Sequence, residues 1–141
     1  MLRKPTIASG ILLIAVSICF AGSEPNMQEG KWEITTKMNI PAMGMDIPPM
    51  KHTQCLTKKD LIPKSSQSGQ GQECKITENK TAGNTVTWSM QCSGGHGGDM
   101  KGSGEMTYNG NSFNGKIELK GDQPNSGTIS QISGQRIGDC K

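Results

Sequence analysis

An apolar N-terminal stretch behind two basic residues, followed by four widely spaced cysteines, constrains this chain more than any other feature. Arg3 and Lys4 precede the run Ile11-Leu12-Leu13-Ile14-Ala15-Val16, and Cys19-Phe20-Ala21 supplies the small residues of a cleavage site. The pattern predicts a removable export leader over residues 1–21, cut between 21 and 23. Residues 24–141 then form one exported domain, periplasmic or secreted. In an oxidising compartment Cys55, Cys74, Cys92 and Cys140 are expected to form disulfides, Cys19 having left with the leader. The apolar run of roughly 14 residues falls short of the about 20 that a membrane span needs, so no span is expected. Ile18 precedes Cys19 where a lipid anchor needs a small residue.

Without the leader the core is thin: residues 24–141 hold 31 hydrophobic side chains. A domain of this size gains from crosslinks worth roughly 2 to 4 kcal/mol each. Once Arg3 and Lys4 are removed, 13 basic side chains face 12 acidic ones. A net charge of +1 provides no field for nucleic acid or anionic lipid, and no nucleic-acid partner is expected.

Period-two alternation dominates the rest. Trp32, Ile34, Met38 and Ile40 occupy even positions, with Lys31, Glu33, Lys37 and Asn39 between them, which predicts a half-buried strand. The stretch 40–50, with three prolines, reads as a loop or flap before a short strand near Lys51 to Leu56. Thr57 and Asp60 form a capping box ahead of Leu61-Ile62, limited to one helical turn by Pro63. Lys64 to Gln72 reads as a polar surface loop. Cys74 and Ile76 share parity with Val86, Trp88, Met90 and Cys92, which predicts a hairpin centred on Gly83 with Cys74 opposite Cys92. Four cysteines allow three pairings. The register favours 74 with 92, leaving Cys55 for Cys140. Met106 and Tyr108, then Phe113, Ile117 and Leu119, continue the alternation around an Asn109-Gly110 turn. Ile129 and Ile132 differ in parity, which suggests a bulge. The expected fold is all-β, an antiparallel meander of about seven strands closing into a barrel or half-barrel.

Catalytic patterns are absent: there is no Gly-x-Ser-x-Gly elbow, and the carboxylates are scattered over surface-facing positions. The chain is therefore not expected to be an enzyme or to carry a cofactor. Ser93 to Asp99 looks like a phosphate loop but lacks its Gly-Lys-Ser/Thr ending and a following helix, so it reads as a connector with an exposed His96. Asn79-Lys80-Thr81 matches a glycosylation acceptor. Met43, Met45 and Met50 with His52 offer soft ligands suited to copper(I), or else a flexible hydrophobic lid. Trp32, Met38, Trp88, Met90, Met106 and Phe113 share the inner faces. They form either a filled core or an apolar surface for a small ligand or a peptide.

Gln28-Glu29-Gly30-Lys31-Trp32-Glu33-Ile34, the Met/Pro stretch, Gln54-Cys55-Leu56-Thr57, the cysteine hairpin and Gly134-Gln135-Arg136-Ile137-Gly138-Asp139-Cys140 together resemble domain of unknown function family 3617, small exported bacterial proteins. The opening Gly-x-Trp-Glu and closing Arg-Ile-Gly-x-Cys pieces are the specific part. The resemblance spans essentially all of the chain after the leader. It implies a bacterial periplasmic location and a shared β domain, and it carries over no catalytic or binding residue. The functional expectation is a non-enzymatic module for a small apolar ligand, a peptide or an envelope protein, with copper(I) binding or a purely structural envelope role as alternatives.

Overall fold

The computed structural model describes residues 24–63, 73–94 and 98–141. The leader, the polar run 64–72 and His96 lie outside the described residues. Seven antiparallel strands form one sheet: β1 (Gly30–Ile40), β2 (Met45–Leu56), β3 (Glu73–Ala82), β4 (Thr85–Ser93), β5 (Met100–Tyr108), β6 (Ser112–Gly121) and β7 (Gly127–Gly138). Their order is β2-β1-β7-β6-β5-β4-β3, a meander from β3 to β7 onto which β1 folds back, with β2 outermost. The edges β2 and β3 do not pair, so of the barrel or half-barrel expected the sheet forms the open half-barrel. No helix among the described residues is long and apolar enough to cross a membrane.

The alternation places Trp32, Ile34, Val86, Trp88, Met90, Met106, Phe113, Ile117 and Ile132 on one face, where all are buried. Glycines let that face curl. Trp88 sits opposite Gly104, Met90 opposite Gly102, Met106 opposite Gly115 and Phe113 opposite Gly134. A Cβ on Gly104 would overlap the Trp88 ring, and one on Gly134 the Phe113 ring. Each large side chain thus lies across a neighbouring strand that has no side chain of its own there, which lets the sheet bend.

Both disulfides match the register argument, Cys55 with Cys140 and Cys74 with Cys92. Each fastens an edge strand. Cys74 and Cys92 are directly opposed on β3 and β4, while Cys140, just past β7, reaches across the start of β1 to β2. The opening and closing motif pieces meet at this junction. Gly30 has φ of 151°, and a Cβ there would meet the Gly138 carbonyl and the Arg136 guanidinium, which donates to Glu29 O at 2.9 Å and pairs with Asp139.

Several local expectations change. The Met/Pro stretch is mostly strand: a 3-10 turn covers only Pro41–Met43, and β2 begins at Met45. Pro48 and Pro49 are tolerated because β2 is an edge and because the register shifts beside them, between Thr36 and Met38. The cysteine hairpin turns at Gly83-Asn84, with Gly83 at φ 60°, and a bulge between Ile76 and Glu78 restores the parity of the cysteines. The β5–β6 turn is centred on Gly110-Asn111, closed by Asn109 N to Ser112 O at 2.8 Å. Positive φ at Gly83 and Gly110, and not at the asparagines that follow, makes these II′-like turns. Ile129 and Ile132 share a continuous register with β6 and point to opposite faces, so no bulge separates them. The irregularity of β7 lies farther on, between its pairings with Lys31 and Trp32.

Candidate functional site

Beyond Leu56 the chain leaves the β2 edge as a strap, Thr57 to Pro63, laid over the curled face. The capping-box pair closes a turn here in place of a helix. The Asp60 carboxylate accepts from the Thr57 amide and hydroxyl, each at 3.0 Å, and the Asp60 amide donates to Thr57 O at 2.9 Å. Leu61 and Ile62 pack against the core, and the Tyr108 hydroxyl donates to Leu61 O at 2.6 Å, latching the strap down. The segment before β1 lies beside the strap, the Lys58 amide donating to the Glu29 carboxylate at 3.0 Å, and its Met27 is buried in the same core and bridged to Gly110.

Between strap and sheet lies a cavity of about 120 Å³. Its apolar walls are Ile34, Leu56, Met106, Phe113, Ile132 and Pro63, and its polar ones Thr36, His52, Gln54, Asp60 and Tyr108. Of these only His52 and Gln54 are exposed, so the mouth opens at β2. An apolar cavity of about 150 Å³ holds benzene, which sets the scale: one ring or one branched aliphatic group. Larger hollows, near 450 and 490 Å³, are shallow and lie on the polar outer face among Glu105, Lys116 and their neighbours. They enclose nothing, and the smaller cavity is the better site.

Burial, with the Asp60 carboxylate beside it, pushes the Tyr108 hydroxyl well above its ordinary value of 10.0. The folded protein therefore holds this proton at pH values where the unfolded chain releases it. That contribution to stability is complete below about pH 10 and is lost as pH rises further. Tyr108 is the only tyrosine in the chain. Urea unfolding between pH 9 and 12 should show a steeper alkaline loss for the natural protein than for Tyr108→Phe. Equal slopes would contradict a buried, latching hydroxyl.

The structure divides the sequence-derived candidates. Met106 and Phe113 stand in the cavity wall. Trp32, Trp88 and Met90 are at most 3% exposed and belong to the filled core away from the cavity. Trp32 donates its indole N-H to Gln28 O at 3.1 Å, whereas the buried Trp88 Nε1 has no partner among the described residues. Met38 is half-buried near the β1–β2 tip. Met43, Met45 and Met50 are 62, 53 and 52% exposed, so they cover no core, and the strap does the covering. Along β2, Met45 and His52 stand seven residues apart, on the order of 23 Å at ordinary strand rise, and these side chains do not converge on a point. No group of three or more His, Cys, Asp or Glu side chains arranged for a metal occurs among the described residues. Sequence reasoning passed over Ile34, Leu56, Ile132, Gln54 and Tyr108 as site residues. The available signal was Leu61-Ile62, an apolar pair inside an otherwise polar connector.

A family model described as "Protein of unknown function (DUF3617)" matches residues 27–140. No curated protein and no solved structure matches the chain.

Proposed function

The chain belongs to the DUF3617 family of proteins of unknown function, and from that premise we propose that it is a non-enzymatic exported binding module whose curled sheet holds a small apolar group beneath the Thr57 to Pro63 strap. One observation carries the reading: a partly enclosed cavity with mainly apolar walls and two polar side chains, His52 and Gln54, at its mouth. Export to the periplasm or beyond is part of the proposal. It draws on the leader pattern and on two disulfides, which persist in oxidising compartments.

The test uses the disulfide-intact protein and benzene as the probe. At about ten times its dissociation constant a ligand stabilises the folded state by about 1.4 kcal/mol, a melting shift on the order of 4 °C for a domain this size. Ile132→Phe fills the cavity from its own wall and should abolish that shift while the protein stays folded. A natural protein that gains nothing from benzene, or a variant that gains as much as the natural protein, would refute the reading.

A further inference from the structure

The cavity mouth lies on an unpaired sheet edge, and from this juxtaposition we infer that the apolar group it receives is a side chain of an extended polypeptide that pairs with β2. The inference rests on the cavity reading above and adds the identity of the occupant.

Among the described residues β2 has a neighbouring strand on one side only. The direction of its backbone groups follows from the rest of the sheet. The Arg136 amide donates to Asn111 O, on the β6 side, so the adjacent Gln135 turns its N-H and C=O toward β1. Gln135 lies opposite Glu33, which directs Ile34 toward β2 and its partner His52. His52 and Gln54 therefore bond inward to β1, and Lys51 and Thr53 turn their N-H and C=O outward. The same alternation puts the side chains of His52 and Gln54 at the cavity mouth.

The two edges of the sheet differ. β3 carries alternating Glu73, Lys75, Glu78 and Lys80 and a bulge, features that discourage a further strand. On β2 the prolines lie toward the tip, and from Met50 to Gln54 the strand holds a single lysine, Lys51, already paired with Glu33 at 3.4 Å. Only this edge adjoins the cavity. A strand added outside β2 sets one inward side chain beside His52 or Gln54, about 5 Å away, where it can enter the mouth. Backbone pairing at the edge with one side chain in a pocket is a recurring mode of peptide recognition. The cavity volume selects a Leu- or Val-sized group, and the short window between Pro49 and Cys55 limits the ligand to a few residues.

The probe is the capped pentapeptide Thr-Val-Leu-Val-Thr, compared with the same peptide N-methylated at both valines, which keeps every side chain and removes the pairing donors. Binding is read from the Met106 methyl signal. The unmodified peptide should move that signal and saturate, and N-methylation should weaken binding at least tenfold. On the protein side, Thr53→Pro removes an outward N-H at an edge position where proline is tolerated, and it should weaken the unmodified peptide equally. The benzene melting shift should be unchanged in Thr53→Pro, which shows that the variant is folded with its cavity intact. Equal binding of the two peptides, or benzene binding with no peptide binding, overturns the strand-pairing inference and leaves the cavity reading standing. A concentration-dependent dimer abolished by Thr53→Pro, without peptide binding, also overturns it, by making a second copy the occupant. Failure of benzene itself overturns both.

Discussion

Trp88→Ala is expected to cost about 3 to 5 kcal/mol, a large share of the roughly 5 to 15 kcal/mol that holds a domain of this kind together. Trp88 is 3% exposed on β4, and its ring lies across β5 where Gly104 has no side chain. Truncation leaves a trough that neither strand fills, because Gly104 offers nothing to collapse into the space. The indole N-H has no partner among the described residues, so the expected loss is one of packing. Trp88→Phe should therefore retain much of the stability, since it forfeits no hydrogen bond. Lys116→Ala is the control. Lys116 projects from the outer face and pairs with Glu118, whose carboxyl the lysine holds below its ordinary range by hydrogen bond and charge. Its removal should leave the urea midpoint almost unchanged. Similar midpoints for Trp88→Ala and Lys116→Ala would mean that the inner and outer faces are misassigned.

Removing Cys55–Cys140 is the second large effect. The bond joins residues separated by 85 positions, and chain entropy assigns such a crosslink about 4.5 kcal/mol. Its place in the sheet adds to this. β2 is exposed along almost its whole length, Leu56 being its one buried residue, so little burial of its own holds it to β1. Cys55→Ser with Cys140→Ser should cost about 4 to 5 kcal/mol and loosen the strand that carries His52, Gln54 and Leu56, which abolishes the benzene shift. Removal of Cys74–Cys92, with a separation of 18, should cost less, about 3 kcal/mol, and leave the cavity in place. Urea unfolding gives both values. A larger loss from the 74–92 pair would contradict the assignment of β2 as the strand most dependent on its crosslink.

Much of this fold is written in alternation. The period-two runs from Trp32 to Ile40 and from Val86 to Cys92 fix strands and their inner faces, whereas Cys74 comes opposite Cys92 only because the bulge between Ile76 and Glu78 corrects the register set by the Gly83-Asn84 turn. Prolines obscured β2. A run with Pro48 and Pro49 reads as loop because proline cannot serve a central strand, yet at an edge the missing N-H costs nothing when it faces outward. Whether a strand is an edge is decided by topology, which no local pattern encodes. The same applies to Gly102, Gly104, Gly115 and Gly134, whose purpose appears only when a neighbouring strand lays Met90, Trp88, Met106 or Phe113 across them.

The cavity was the least legible part. Its walls come from five strands and the strap, and its latch joins Tyr108 to a carbonyl 47 positions away. Leu61 and Ile62 read locally as the start of a helical turn. Their burial depends on a curled sheet lying beneath them. The methionines drew attention as a lid because thioethers pack adaptably, but Met43, Met45 and Met50 lie at the exposed end of the β1–β2 hairpin.

The central claim is that an apolar group enters the space between strap and sheet. Intermolecular nuclear Overhauser effects between benzene and the disulfide-intact protein test it most directly. They should appear at the Met106 methyl, the Phe113 ring and the methyls of Ile34 and Ile132, the residues that wall the cavity. Contacts confined to the exposed Met43, Met45 and Met50, or no contacts at all, would contradict it.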